Sequence, residues 1–127
     1  MPIKLVIISA DETRHKFFRR KISNIKEVDL KLCLAEKNNT RQFYQVYKSS
    51  INIKSEKKHF KDRAKSEKKY LFSFIKKNKE VKNLHLIDRG EFNYNKKIIK
   101  KIYKIKPDLI ISYGCSIIKK TLISRFK

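Results

Sequence analysis

The stretch Lys106-Pro107-Asp108-Leu109-Ile110-Ile111-Ser112-Tyr113-Gly114-Cys115-Ser116-Ile117-Ile118 decides how the rest of the chain is read. Pro107 ends the helix before it, because its ring fixes φ and disfavours helical geometry at Lys106. Leu109-Ile110-Ile111 is a short apolar run with β-branched members, the pattern of a strand buried on both faces in a parallel sheet. Gly114 breaks that strand. Ser116 is positioned to cap a helix, and Ile117, Ile118, Leu122, Ile123 and Phe126 recur at helical spacing. The segment therefore reads strand, tight turn, helix.

Working outward, the same alternation extends over the whole chain. Ile3-Lys4-Leu5-Val6-Ile7-Ile8 reads as a central first strand. Asp11 or Thr13 in the polar loop after it can cap a helix whose inner stripe is Phe17, Phe18, Ile22 and Ile25, with Arg14, Lys16, Arg19 and Arg20 turned outward or toward a ligand. Asp29 to Leu34 alternates with period two and reads as a second strand, less buried on one face. From Glu36 to about Lys54 the pattern is polar, with Phe43, Tyr44 and Tyr47 as its bulky anchors, and reads as a loop or weak helix. A long charged helix follows from Ser55 to Lys79. Its stripe is Phe60, Ala64, Leu71 and Phe74 or Ile75, interrupted by Glu67. Leu84 to Ile87 is a third short strand that ends in the turn Asp88-Arg89-Gly90. Asn93 or Asn95 caps a fourth helix with Ile98, Ile99, Ile102 and Tyr103 on its inner face. Strands alternating with helices imply one α/β domain over 1–127, a Rossmann-like parallel sheet of about four strands.

Composition narrows the function classes. The chain has 127 residues, 40% of them hydrophobic, enough for one core. No apolar run approaches the roughly 20 residues of a membrane span, so no membrane partner is expected. The N-terminus is too soon polar for a signal peptide, and Cys33 and Cys115 form neither a metal spacing nor a disulfide framework, which points to a cytoplasmic setting. The 34 Lys and Arg against 12 Asp and Glu give a net charge of +22. Such a charge favours polyanions. The lysines are spread through nearly every segment, however, so charge alone names no partner.

With strand order 3-2-1-4, a ligand crevice is expected at the carboxyl ends of strands one and four, where the loops Ser9–Thr13 and Tyr113–Ser116 face each other. Two glycines in the whole chain, Gly90 and Gly114, rule out the Gly-rich dinucleotide and P-loop turns. Gly114 is either a close-approach residue beside a ligand or a plain turn residue. Cys115, at a helix start, would have an activated thiolate, but with no histidine placed beside it a small turn-filling residue is the preferred reading. His15 lies near the crevice, as an anion contact or, more simply, an exposed helix residue. His59 and His85 carry no role, and Asp11 and Asp108 read as caps. Phe43, Tyr44 and Tyr47 could stack bases, with core anchors preferred.

The block Pro107 to Gly114 followed by Ser116-Ile117-Ile118 resembles the folate-dependent formyltransferases, a family that acts on methionyl-tRNA, glycinamide ribonucleotide and sugar nucleotides. Arg14-His15-Lys16-Phe17-Phe18, His59-Phe60 with Glu67, and Arg89-Gly90-Glu91 extend the resemblance over nearly the whole chain. It implies a sheet that holds 10-formyltetrahydrofolate, with Tyr113, Gly114, Cys115, Ser116, Ile117 and Ile118 lining the pteridine pocket through backbone groups. Ser9, Asp11, Arg14 and His15 would form the facing, substrate-side wall. The family moves its formyl group with an asparagine, a histidine and an aspartate that follow the segment matched here, so no catalytic residue is assigned in this sequence and no metal is expected.

The resemblance thus describes a folate-binding N-terminal portion, inactive alone. Its acceptor would be an amine, on an amino sugar or an aminoacyl-tRNA. In the family's whole fold a further strand would pair with strand four. Without one, Leu109 to Ser112 offers an open apolar edge and self-association is expected. The alternatives are a small basic nucleic-acid-binding protein, whose affinity would fall steeply with salt, and a non-catalytic remnant.

Overall fold

A computed structural model describes residues 1–37 and 53–126. The expectations for Phe43, Tyr44 and Tyr47 lie outside the described residues. In chain order the elements are β1 (Ile3–Ala10), α1 (Thr13–Ser23), β2 (Val28–Glu36), α2 (Ile53–Lys77), β3 (Leu84–Ile87), a 3-10 turn (Glu91–Asn93), α3 (Lys96–Ile105), β4 (Leu109–Tyr113) and a single-turn α4 (Lys120–Ile123). The four strands form one parallel sheet in the order β3-β2-β1-β4. This is the α/β arrangement and strand order expected from the alternation of apolar runs.

Period-two alternation along β1 sends its side chains to opposite faces of the sheet. Val6 and Ile8 join Leu32, Leu34, Ile87, Phe92, Ile99, Ile102 and Leu122 on one face, beneath α3, the 3-10 turn and α4. Leu5 and Ile7 join Cys33 on the other, where Phe18 and Ile22 of α1 pack. With neighbours on both edges, Leu5 to Ser9 of β1 and Leu32 to Glu36 of β2 are buried. The expectation of a face less buried holds for the first half of β2, where Asp29 and Lys31 pair at the surface at 2.7 Å, and fails from Leu32 onward, where both faces are packed. The long helix α2 lies against α1, with Phe17 and Phe74 edge to face at 5.0 Å. Glu67 interrupts its apolar stripe because the carboxylate reaches Arg14 of α1, and Ala64 is exposed.

Several local expectations are corrected. β4 is an edge strand and half-exposed, since β1 is its one neighbour among the described residues. α1 ends at Ser23, so Ile25 falls outside it and is exposed, and Glu12 rather than Asp11 or Thr13 is its N-cap. Asn95 caps α3, its side chain accepting from the Lys97 and Ile98 amides at 3.0 and 3.4 Å. Ile99 and Ile102 are buried there while Tyr103 is exposed. Lys106 ends α3 in the left-handed region at φ 50°, not in the extended conformation usual before proline.

No helix starts at Ser116. The Ile117 carbonyl, which a helix would use to accept from Thr121, is engaged by Asn93, while the Ser116 and Lys119 N–H groups are pinned to Glu36 and Asn93. The helix is confined to one turn held by buried Leu122, a burial that contributes about 1.5–3 kcal/mol. Among the described residues no helix is long and apolar enough to cross a membrane.

Candidate functional site

The carboxyl ends of β1 and β4 do lie side by side, with Ser9 in register with Tyr113. What fills the space between them is His15. Its ring is wholly buried, packed edge-on against Tyr113 at 4.8 Å and directly over Gly114. A Cβ added to Gly114 would lie 2.4 Å from Nε2 of His15, and the glycine itself has φ +66°. Both facts require glycine: one for conformation, the other for space.

The His15 ring is fixed from its other side as well. The Glu12 N–H donates to Nδ1 at 3.1 Å, so the neutral ring carries its proton on Nε2. That atom is buried and has no hydrogen-bond partner among the described residues. Burial, followed by the charge of Arg14, pulls its pKa down to about 4, against the opposing pull of Glu12 and Asp11. The ring is neutral at physiological pH.

The other residues of the expected substrate-side wall are also held internally. Ser9 is buried and its hydroxyl donates to the Ala10 carbonyl at 2.8 Å. Arg14 sits in a close ion pair with Glu12 and reaches Glu67 at 3.3 Å, while Arg63 approaches Glu12 at 3.5 Å. Asp11 accepts from Arg19 at 2.8 Å.

Arg19 is the larger departure from the sequence reading. Its side chain is 1% exposed and chelates Glu80 through Nε and a terminal nitrogen, at 2.8 and 2.7 Å. Arg20 is buried with it, bonding the Asn78 and Lys16 carbonyls and the same Glu80. Burial alone would raise the Glu80 carboxyl. Its hydrogen bonds from Arg19 and the Val81 N–H, with the charges of both arginines, outweigh that and hold it below the usual carboxylate range. Asp11 belongs to this network through its pair with Arg19.

The residues after β4 open toward the β3 side. Glu36, buried at the end of β2, takes the Ser116 N–H on one oxygen at 2.6 Å and the Gly90 N–H on the other in a close contact. Its carboxylate thus ties the turn after β3 to the turn after β4. Above it lies an open cleft of about 480 Å³ lined by Arg89, Gly90, Asn93, Tyr94, Ser116, Ile117 and Lys119. Arg89 reaches across to the Ser116 hydroxyl at 3.3 Å. Tyr94 and Ile117 present exposed apolar surface. Cys115 and Ile118 instead pack against the core, and burial, with Glu36 nearby, raises the Cys115 thiol pKa. An activated nucleophile is not what this position provides.

Of the residues singled out from sequence, Ser116 and Ile117 line the cleft, Tyr113 and Gly114 contact His15, and Cys115 and Ile118 face inward. Glu36, Asn93 and Lys119 were not marked as site residues. The available signal was Glu36 itself, an acid directly after an apolar strand in a chain with few acids. Among the described residues no group of His, Cys, Asp and Glu could hold a metal ion. Fold and cleft together define an α/β domain with its opening at the carboxyl edge of a parallel sheet. Comparison with protein-family models, curated proteins and solved structures finds no match.

Proposed function

We propose that this chain is the folate-binding portion of a formyltransferase-type enzyme, taking 10-formyltetrahydrofolate against the turn from Tyr113 to Ile118. The observation that carries the reading is the position of the Pro107–Ile118 motif. It forms β4 and a left-handed glycine turn beside β1, at the sheet edge where open α/β folds bind ligands.

The cleft beside that turn suits the ligand's chemistry. About 480 Å³ lies within the usual range of small-molecule sites. Tyr94 and Ile117 offer flat apolar surface to a planar heterocycle, and Arg89 and Lys119 offer cations to its carboxylates. Because His15 already occupies the gap between β1 and β4, the ligand enters from the β3 side. The formyl acceptor is an amine, on an amino sugar or an aminoacyl-tRNA, and this chain supplies binding rather than the transfer step.

The test is a titration of the 127-residue chain with 5-formyltetrahydrofolate, followed by backbone amide shifts. Saturable shifts at Gly90 and at Gly114 to Ile118 are expected, insensitive to added RNA at physiological salt. Silence of that turn at millimolar ligand would overturn the proposal. Binding of RNA alone, with a steep salt dependence, would favour the nucleic-acid reading instead.

A further inference from the structure

We propose that the edge of β4 that has no neighbour among the described residues pairs with β4 of a second copy of this chain, antiparallel about a two-fold axis through Ile111. This inference concerns the 127-residue chain and the edge of the strand, whereas the folate reading concerns the turn after it, so the two tests can fail separately.

The backbone alternation identifies the free groups. The Asp108 N–H donates to the Lys4 carbonyl at 2.8 Å, so Asp108 faces β1. In a parallel pair the residues alternate, so Ile110 and Ser112 also face β1 while Leu109, Ile111 and Tyr113 direct their N–H and C=O groups away from it. Those three residues form a self-complementary set. Ile111 meets its own copy, and Leu109 meets Tyr113 of the second copy twice, giving up to about six backbone hydrogen bonds, two of which draw the Tyr113 N–H from the Cys115 thiol.

Side chains and charge favour the same occupant. Leu109 and Tyr113 are the exposed apolar residues of the strand, at 50% and 37%, and this pairing brings one against the other on one face of the sheet. Beyond the strand, Asp108 falls opposite Gly114 and Lys106 opposite Ser116, so no like charges meet. Leu109 to Ile118 contains no charged residue in a chain where 36% of residues are charged. An edge strand without lysine lacks the usual protection against pairing. Opposing this is the net charge of +22 on each copy. The repulsion is long-ranged and screened by salt, whereas the strand pairing is not.

A five-residue edge is small beside a standard interface, so the association is weak and salt-promoted. Sedimentation equilibrium of the 127-residue chain should show a mass approaching twice 15.3 kDa in about 0.5 M salt and falling toward 15.3 kDa near 0.05 M. Leu109→Lys, at a half-exposed position, should weaken dimerisation at least about tenfold. A second measurement fixes the geometry: in a Cys115→Ala background, Leu109→Cys mixed with Tyr113→Cys should form a disulfide-linked pair, and neither alone should. A monomer at every salt concentration, an unaffected Leu109→Lys, or Leu109→Cys linking to itself as readily as to Tyr113→Cys would each overturn the inference.

Discussion

Replacing Gly114 by alanine tests the packing on which the candidate site rests. Two costs arise at this position. Alanine in the left-handed region at φ +66° costs about 1–2 kcal/mol. The new Cβ also falls 2.4 Å from Nε2 of His15, a ring that is fully buried and held on its far side by the Glu12 amide. Forcing that ring aside resembles overpacking a core and costs about 1–3 kcal/mol more. Gly114→Ala should therefore destabilise the fold by about 2–5 kcal/mol in urea unfolding near pH 7.5, where His15 is neutral. The two parts separate in a double-mutant cycle. With His15→Ala in place, the cost of Gly114→Ala should drop to the conformational part alone, about 1–2 kcal/mol. Gly90→Ala is the internal control: φ is +74°, and the nearest atom to its Cβ, on the flexible Asn93 side chain, is 4.0 Å away. A coupling between positions 15 and 114 below about 0.5 kcal/mol would refute the claim that the histidine selects glycine here.

Two further outcomes follow from buried titratable groups. His15 has a folded pKa of about 4 against 6.5 in the unfolded chain, so the unfolded state takes up the proton first as pH falls. Its contribution is intact above pH 6.5 and is lost progressively down to about pH 4, on the order of 3 kcal/mol. The pH dependence of urea midpoints should flatten in this window in His15→Gln, and an unchanged profile would refute the assignment. Arg19→Met should cost about 1–3 kcal/mol, since Asp11 loses its partner and Glu80 keeps Arg20 and the Val81 N–H, read as a lower thermal midpoint. Wild-type stability in that variant would show that the pair adds nothing.

Much of the architecture was legible because its signals are local. Apolar runs at Ile3–Ile8 and Leu84–Ile87, the proline before Leu109 and the glycine after Tyr113 mark strand ends without reference to the rest of the chain. The errors share a different character. Arg19 reads as a surface residue because its partner Glu80 is 61 positions away, and no periodicity reports such a pairing. His15 reads as exposed because the glycine that makes room for it closes the opposite end of the sequence. The helix expected at Ser116 has suitable spacing, yet Asn93 engages the Ile117 carbonyl that its first turn would use. Tertiary hydrogen bonds overrode local propensity there.

Glu36 has one more consequence. A single carboxylate receives amides from two loops, one following β3 and one following β4, which Arg89 and Asn93 also bridge. Neither loop can shift without withdrawing a donor from the same buried anion. Displacing the Ser116 amide would leave the buried Glu36 carboxylate short of one of its two backbone donors, a loss of about 1–3 kcal/mol.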